Sequence, residues 1–376
     1  MRLGGNDYNL REVAGAFGDL GTLIPFVVGY ITVAGMEPVG VLVAFGLSKI
    51  VAGLYFKSPI PIQPMKAIGT VAISHPTLIT PGAILASGLF TGVLWLLLGV
   101  SGAVTWIARI TSRPVVQGLI LGLGLGFVLE GVKMAEAELL LAVVAATLTF
   151  VLLSRERVPA MLGLLVFGVI VALVREPTLL GELGRVSFHL RLPEFALTRL
   201  GWADLVTGVL VLGLPQAALT LGNAIVATVE ENNALFPERP LTVRTVAVDH
   251  GLMNLVAASL GGVPMCHGAG GLAGHVRFGA RTGGALVILG SLVLFTGLFL
   301  ADSIQTLFKV FPPALLGVIL LFGGLELAAG VQGNHQSKED RYVMLLTAGV
   351  SLWNMGAAYA AGLLLGWAFQ RGWLKA

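Results

Sequence analysis

The sequence predicts an all-α polytopic membrane protein of fourteen transmembrane segments in two inverted repeats of seven, with segments 3 and 10 as broken half-helices preceded by short extended stretches. Three observations carry that prediction. Apolar residues make up 56% and charged residues 11% of the 376 residues, whereas a soluble domain carries roughly 25% charged. Apolar runs long enough to span a bilayer, or nearly so, recur from Val13 to Phe369. Two Pro-Met pairs, Pro64-Met65 and Pro264-Met265, lie 200 positions apart, each ending an apolar stretch and opening one rich in Gly and Ala.

In order, the first seven segments read as Val13–Val33, Val39–Phe56, the short Met65–Ser74, Ala83–Ile107, Pro114–Glu130, Glu138–Leu153 and Pro159–Val174. The second seven read as Trp202–Val229, Val243–Leu260, the short Gly268–Phe278, Gly284–Leu300, Pro312–Ala328, Tyr342–Leu352 and Met355–Phe369. Residues 1–175 form the first repeat, 176–201 a charged, amphipathic linker, and 202–376 the second repeat. Two echoes support a duplication. Gly46-Leu47-Ser48-Lys49-Ile50-Val51-Ala52 matches Gly251-Leu252-Met253-Asn254-Leu255-Val256-Ala257, and Leu20-Gly21-Thr22 matches Leu221-Gly222-Asn223. Short coincidences among Gly, Leu, Val and Ala are the competing explanation.

An odd number of spans per repeat makes the second copy enter the membrane from the opposite side. Both termini then share a face. That face collects Arg2, Arg11, Lys57, Arg109, Arg113, Arg155, Arg157, Arg239, Arg244, Arg277, Arg281, Lys338, Arg341, Arg371 and Lys375, against Lys133, Arg175, Arg185, Arg191, Arg199 and Lys309 opposite. The bias predicts cytoplasmic termini and an extracellular linker.

The net charge of +3 comes from arginines between apolar runs, so it speaks for orientation and not for nucleic acid. A lone Cys266 excludes an internal disulfide and a thiolate metal cluster within the chain. No cleavable signal is read in Met1 to Arg11. No paired-carboxylate, Walker, His-Glu-x-x-His or nucleophile-elbow pattern occurs, so neither an enzyme nor a metal or cofactor is expected, and transport would be passive or ion-coupled. The alternating glycines of Gly122-Leu123-Gly124-Leu125-Gly126 read as helix packing.

Pro59, Pro61 and Pro64 keep the chain before Met65 extended, with a helix starting just after it. Gly261-Gly262-Val263-Pro264 does the same before Gly268, Gly270, Gly271 and Gly274. A helix that begins inside a membrane exposes N–H groups that only a protected cavity tolerates. Two facing helix starts make an anion site, suited to a tetrahedral oxyanion because several donors surround it without a full cationic cage. Glycines Gly268 and Gly270, with Ala269, let the backbone approach closely, while Thr22, Gln63, Asn223 and His267 add side-chain donors. Lys66 supplies a full charge, and Met65 and Met265 shape the wall. Simple kinking for packing is the alternative explanation of the same Gly and Pro residues.

Single residues keep two readings. Asp19, in Gly18-Asp19-Leu20-Gly21-Thr22, is either a proton-coupling acid or a partner of Lys49 or Lys66. Lys66, at the wrong end of its helix dipole, serves an anion or a carboxylate. Glu230, beside Glu231, is a candidate proton carrier or a rim residue. His267 meets substrate, titrates, or is an ordinary buried histidine. His275, Arg277 and Arg281 line an exit path or anchor the cytoplasmic face.

At Gly18-Asp19-Leu20-Gly21-Thr22, Pro59-Ile60-Pro61-Ile62-Gln63-Pro64-Met65-Lys66-Ala67, Leu221-Gly222-Asn223 and Pro264-Met265-Cys266-His267-Gly268-Ala269-Gly270-Gly271-Leu272-Ala273-Gly274-His275, the chain closely resembles the molybdate transporter family, a branch of the sulfate permease superfamily. The resemblance runs over nearly the whole chain, and the second break is its most specific piece. It implies core and gate domains, a substrate site between segments 3 and 10, elevator-like movement, and a homodimer as a plausible assembly. The missing C-terminal STAS domain agrees with the molybdate branch; Glu230-Glu231 does not belong to its pattern and leaves coupling open. The expected activity is molybdate import across the cell membrane. The alternatives are a sulfate or other oxyanion transporter, a nucleobase symporter, or an anion channel.

Overall fold

The computed structural model describes residues 2–109, 112–154, 160–329, 331 and 337–375. Pro159, the expected start of segment 7, and Arg155 and Arg157 lie outside the described residues. The chain opens with a hairpin of β1 (Arg2–Leu3) and β2 (Asn6–Asp7). The helices of the first half are α1 (Leu10–Ala16), α2 (Leu20–Thr32), α3 (Pro38–Phe56), α4 (Lys66–Ser74), α5 (Pro81–Ser101), α6 (Ala103–Arg109), α7 (Arg113–Glu136), α8 (Leu139–Leu153) and α9 (Ala160–Arg175). Strand β3 (Gln63–Pro64) precedes α4. After α10 (Thr178–Leu183) comes a helical run bent by 48° near its middle: α11 (Trp202–Thr207), a π-helical stretch (Gly208–Gly213), α12 (Leu214–Leu219), a second π stretch (Thr220–Ala227) and α13 (Thr228–Leu235). Then follow α14 (Val243–Ser259), β4 (Met265–Cys266), α15 (Ala269–Arg277), α16 (Gly284–Phe299), α17 (Ile304–Phe308), α18 (Pro313–Ala329), α19 (Lys338–Ser351) and α20 (Met355–Gln370).

Every stretch read as a segment carries helix. Among the described residues α3, α5 and α7 are by length and composition each able to cross a membrane alone, and counting each of three bent pairs as one span gives up to six. The outer surface carries large apolar side chains, among them Leu140 at 80% and Val174 at 74% exposed. Such a coat is stable against lipid and not against water. The molecule is a helical polytopic membrane protein.

The details depart from the sequence reading where the backbone bends. Segment 1 is two helices meeting at 45°, so Asp19 stands at the break before α2 instead of lying within a continuous span. Segment 4 breaks at Gly102, whose φ of 78° is left-handed. The eighth segment runs on to Leu235 and contains two π turns, which widen the helix and carry Asn223.

Three long pairings build the body: α3 along α16, α5 along α14, and α7 along α18, with α19 also on α7. Glycines make these approaches close. A Cβ at Gly131 would lie 2.6 Å from Gly317 O, and one at Gly290 would lie 2.8 Å from Gly46 O. The alternating glycines of α7 divide their roles, since Gly122 abuts Ser351 of α19 and Gly124 abuts Ala328 of α18. Packing of small residues is the association force available in lipid.

The linker is strapped across one end of the body. His189 N donates to Phe299 O (3.1 Å), Arg191 N to Leu298 O (2.7 Å) and Ala196 N to Ser259 O (3.0 Å). Arg191 pairs with Asp302, and Lys309 with Glu182, whose carboxylate holds the exposed ammonium above its ordinary range. Glu37, at the start of α3, belongs to this end. At the other end of α3, Asn6 donates to Gly53 O and Arg239 to Lys57 O.

The two breaks are fastened by the preceding helices. Lys49 of α3, fully buried, donates from Nζ to Ile62 O at 2.7 Å. Asn254 of α14 holds both backbone groups of Met265, accepting from its N–H at 2.8 Å and donating to its C=O at 2.7 Å. These two residues are partners in the sequence echo, and each satisfies the backbone of the break that follows it.

Replacing Gly131 by Leu drives a side chain into the backbone of α18 and lowers the unfolding temperature in detergent, with overpacking of this kind costing about 1–3 kcal/mol. Gly126→Ala, whose Cβ has only Leu352 at 4.0 Å, leaves it unchanged. Asn254→Ala strands two buried backbone groups, at about 1–3 kcal/mol each; faster hydrogen exchange at Met265 together with a lower unfolding temperature reads that loss.

Candidate functional site

The two breaks meet. Strands β3 and β4 pair antiparallel, Gln63 opposite Cys266 and Pro64 opposite Met265. Met65 N donates to Pro264 O at 2.9 Å, and the Cys266 thiol lies 3.7 Å from Pro64 O. Because the strands are antiparallel, α4 and α15 leave the ladder in opposite directions, and their starts bracket one buried place. Met65 and Met265 are fully buried in the ladder itself.

The bend in segment 1 supplies one wall. A Cβ at Gly18 would sit 2.4 Å from Gly274 O, so glycine is what lets α15 cross the bend. Asp19, 3% exposed, receives hydrogen bonds on Oδ1 from Thr22 Oγ1 and Gln63 Nε2; Gln63 Nε2 also reaches Thr22 Oγ1 at 2.9 Å. This triangle fixes the Gln63 side chain against the start of α15. There a Cβ at Gly268 would lie 2.4 Å from Gln63 Oε1, and one at Gly271 2.3 Å from Gln63 Nε2. Asn223, on the π stretch, has Nδ2 3.8 Å from the same Gly268 position.

Lys66 opens α4. Its ammonium has no hydrogen-bond partner and stands 3.7 Å over the ring of Phe127 from α7. The same ring is 2.4 Å from where a Cβ of Gly270 would be, so Phe127 touches both helix starts. The Ala67 N–H of α4 is already capped by Gln216 Oε1 of α12 at 3.0 Å. The first N–H groups of α15, at fully buried Ala269 and at Gly270, have no partner within their own helix.

Buried polar atoms without partners gather here: Asp19 Oδ2, Gln63 Oε1, Lys66 Nζ and Asn223 Oδ1. Each is expensive in an apolar interior. Together they form a site with a cation, two helix starts and amides that turn either donor or acceptor outward.

The other named residues lie elsewhere or are committed. His267 is fully buried with both ring nitrogens engaged, Nδ1 with Pro61 O (3.1 Å) and Nε2 with Asp249 Oδ2 (2.8 Å). Glu230 sits in the first turn of α13, 42% exposed by side chain and 3.6 Å from Arg113. Among the described residues no group of His, Cys, Asp and Glu is arranged to hold a metal ion.

Four contributors went unread in the sequence. Gln216 and Phe127 sit in ordinary apolar helices, and only the folded arrangement brings them to the breaks. Gly271 reads only as one of the glycines after the Gly261–Pro264 break, not as the seat of Gln63. Asp249 was legible: it is an acid within segment 9, and the rule that singled out Asp19 applies to it equally.

A family model described as "Molybdate transporter of MFS superfamily" matches residues 11–127 and 208–327. Molybdate transporter 2 of Arabidopsis thaliana is 34% identical over 404 residues, covering 93% of this chain and 85% of that protein. Molybdate transporter 1 of Chlamydomonas reinhardtii is 27% identical, covering 94% and 90%. Among solved structures, the transmembrane domain of the cyanobacterial bicarbonate transporter BicA superposes with a TM-score of 0.55 at 16% identity, covering 95% of this chain and 99% of that one. Murine Slc26a9, an anion transporter in the inward-facing state, superposes with a TM-score of 0.64 at 13% identity, covering 100% and 70%. These two likenesses concern the fold alone. By the extent of the family match and the identity to its plant relative, the chain belongs to the molybdate transporter family.

Proposed function

We propose that this protein is a secondary transporter that imports molybdate across the cell membrane, binding the oxyanion between the starts of α4 and α15. The observation that carries the reading is the uncommitted Lys66 ammonium beside two buried helix starts. A tetrahedral dianion matches that set. Lys66 supplies charge, the N–H groups of Ala269 and Gly270 supply close donors, and Thr22, Gln63 and Asn223 set orientation. Gly268 keeps the approach open; Met65 and Met265 close the wall behind it. The names of the plant and algal relatives support molybdate as the cargo.

The proposal includes two inverted repeats, residues 1–175 and 202–376, joined by an extracellular linker, with both termini in the cytoplasm. The packing supports it. Segment 2 lies on segment 11 (α3 on α16) and segment 9 on segment 4 (α14 on α5), the exchange that a pseudo-twofold axis generates. The self-paired contacts, α7 with α18 and β3 with β4, lie where that axis would pass. Segments 5 to 7 and 12 to 14 would form the gate, against which the core carrying both breaks moves. Phe127, from the gate helix α7, touches the site from that side.

Coupling to protons completes the reading. Of the two acids first considered, Asp19 lies in the site and has one oxygen, Oδ2, without a partner. A proton there would turn a repelling acceptor into a donor for the oxyanion. Glu230 is held at the surface by Arg113.

Calorimetric titration of the purified protein tests the substrate. Molybdate is expected to bind in the presence of excess sulfate, and Lys66→Met to weaken binding at least tenfold, about 1.4 kcal/mol, without loss of folded protein. Absence of molybdate binding, or tighter sulfate binding, would sink the reading.

A further inference from the structure

His267 is the residue immediately before Gly268, the cap of α15, and its hydrogen bonds constrain its proton content. Pro61 O, 3.1 Å from Nδ1, is a carbonyl and accepts only. Nδ1 therefore carries hydrogen. Asp249 Oδ2, 2.8 Å from Nε2, is a carboxylate oxygen. A hydrogen bond across that gap needs one proton between the two, either on Nε2 as imidazolium or on the acid. Remove that proton and two acceptors face each other at 2.8 Å.

The groups that face His267 from neighbouring elements bond elsewhere or carry no hydrogen bond to it. Phe56 of α3 meets the imidazole edge-on with centroids 6.0 Å apart. His250, also from α14, lies 5.9 Å away, fully buried, with neither ring nitrogen hydrogen-bonded, and packs against Trp95 of α5. From α3, Lys49 is committed to Ile62 O, the carbonyl after Pro61. Cys266 precedes His267 and is turned to Pro64 O. Asp249 itself is 20% exposed by side chain, whereas His267 is sealed. The pair thus connects the protein's exterior to the residue before the α15 start.

We propose that Asp249 and His267 form a proton-binding pair that sets the anion affinity of the α15 start. This rests on the anion-transport reading above. With its proton the pair is neutral in sum; without it the pair carries one negative charge beside the place an oxyanion must occupy. Anion binding and proton binding therefore favour each other, and by linkage the two effects are equal. As pH rises through the pair's titration, molybdate affinity falls, by at most about tenfold per pH unit for one proton. A molybdate that enters with this proton crosses with less charge, and its release into a less acidic compartment frees both.

The two partners make opposite predictions when replaced. Asp249→Asn removes the negative charge and gives Nε2 an amide donor, so molybdate binds at all pH values with the affinity the unmodified protein shows only in acid. His267→Gln leaves the lone carboxylate, so binding stays at the weak, alkaline level while Asp249 is ionised. A merely structural role would lower both alike and leave the pH profile in place. The experiment is a molybdate titration across pH, repeated in buffers of different ionisation enthalpy to count protons taken up, for the unmodified protein and both variants. Opposite displacement of the two variants, with about one proton fewer taken up by each, is the expected result; an unchanged pH profile in both overturns the proposal. If the unmodified protein binds no molybdate, the transport reading fails instead. The pair is then judged by ¹⁵N shifts of the His267 ring in the unmodified protein: a proton lost from the pair as pH rises supports it, and a single unchanging N–H form overturns it. The same spectra decide the matter if either variant does not fold.

Discussion

A helix that starts in a buried apolar interior leaves backbone groups with neither water nor a preceding turn to satisfy them, and the rest of this molecule is organised around that constraint. The short β3–β4 ladder ties the two extended stretches to each other through Met65 N and Pro264 O. Lys49 and Asn254 then fasten the two extended stretches, one with a cationic side chain and one with an amide. Gln216 caps α4. What these contacts leave unsatisfied is concentrated at the start of α15 and at the Lys66 ammonium, so the unsatisfied remainder is the candidate site.

The glycines serve the same end by a different route. Those on α3, α7, α14, α16 and α18 let long helices approach until backbone touches backbone, which rigidifies the frame around the breaks. Gly18, Gly268 and Gly271 are local: each removes a side chain that would collide with α15 or with Gln63. Phe127 joins the two regions, because it belongs to the frame helix α7 yet rests on Lys66 and Gly270. A cation over an aromatic face inside an apolar site is stabilised by about 2 kcal/mol or more, which offsets part of the cost of burying the Lys66 ammonium. No carboxylate oxygen hydrogen-bonds that ammonium, although the Asp19 carboxylate shares the site.

Much of this was legible in the chain, and the physical reason is punctuation. Proline and glycine dictate backbone conformation locally, so the extended stretches before Met65 and before Gly268, and the helices after them, could be read without a fold. The echo of Lys49 and Asn254 likewise survived as a sequence match, although their shared task of satisfying a break appears only in space. Long apolar stretches located the helices, but Gly18 beside Asp19 and Pro215 within the eighth segment were breaks that went unread, and the π stretch Thr220–Ala227 showed only in the fold. Gln216 and Phe127 were illegible for another reason: their roles depend on which helix face meets the breaks. Asp249 differs, since an acid within an apolar segment is a local signal, and its significance became clear once His267 proved to be bonded on both nitrogens.

The central claim is that one buried place, bounded by the start of α4 and the start of α15, holds the anion. Molybdenum makes a direct measurement available: an anomalous difference map recorded at its absorption edge from crystals grown with molybdate. The account predicts a strong peak between the Lys66 ammonium and the N–H groups of Ala269 and Gly270, absent from Lys66→Met crystals. A map whose peaks lie only at surface arginines, with that place empty, would contradict it.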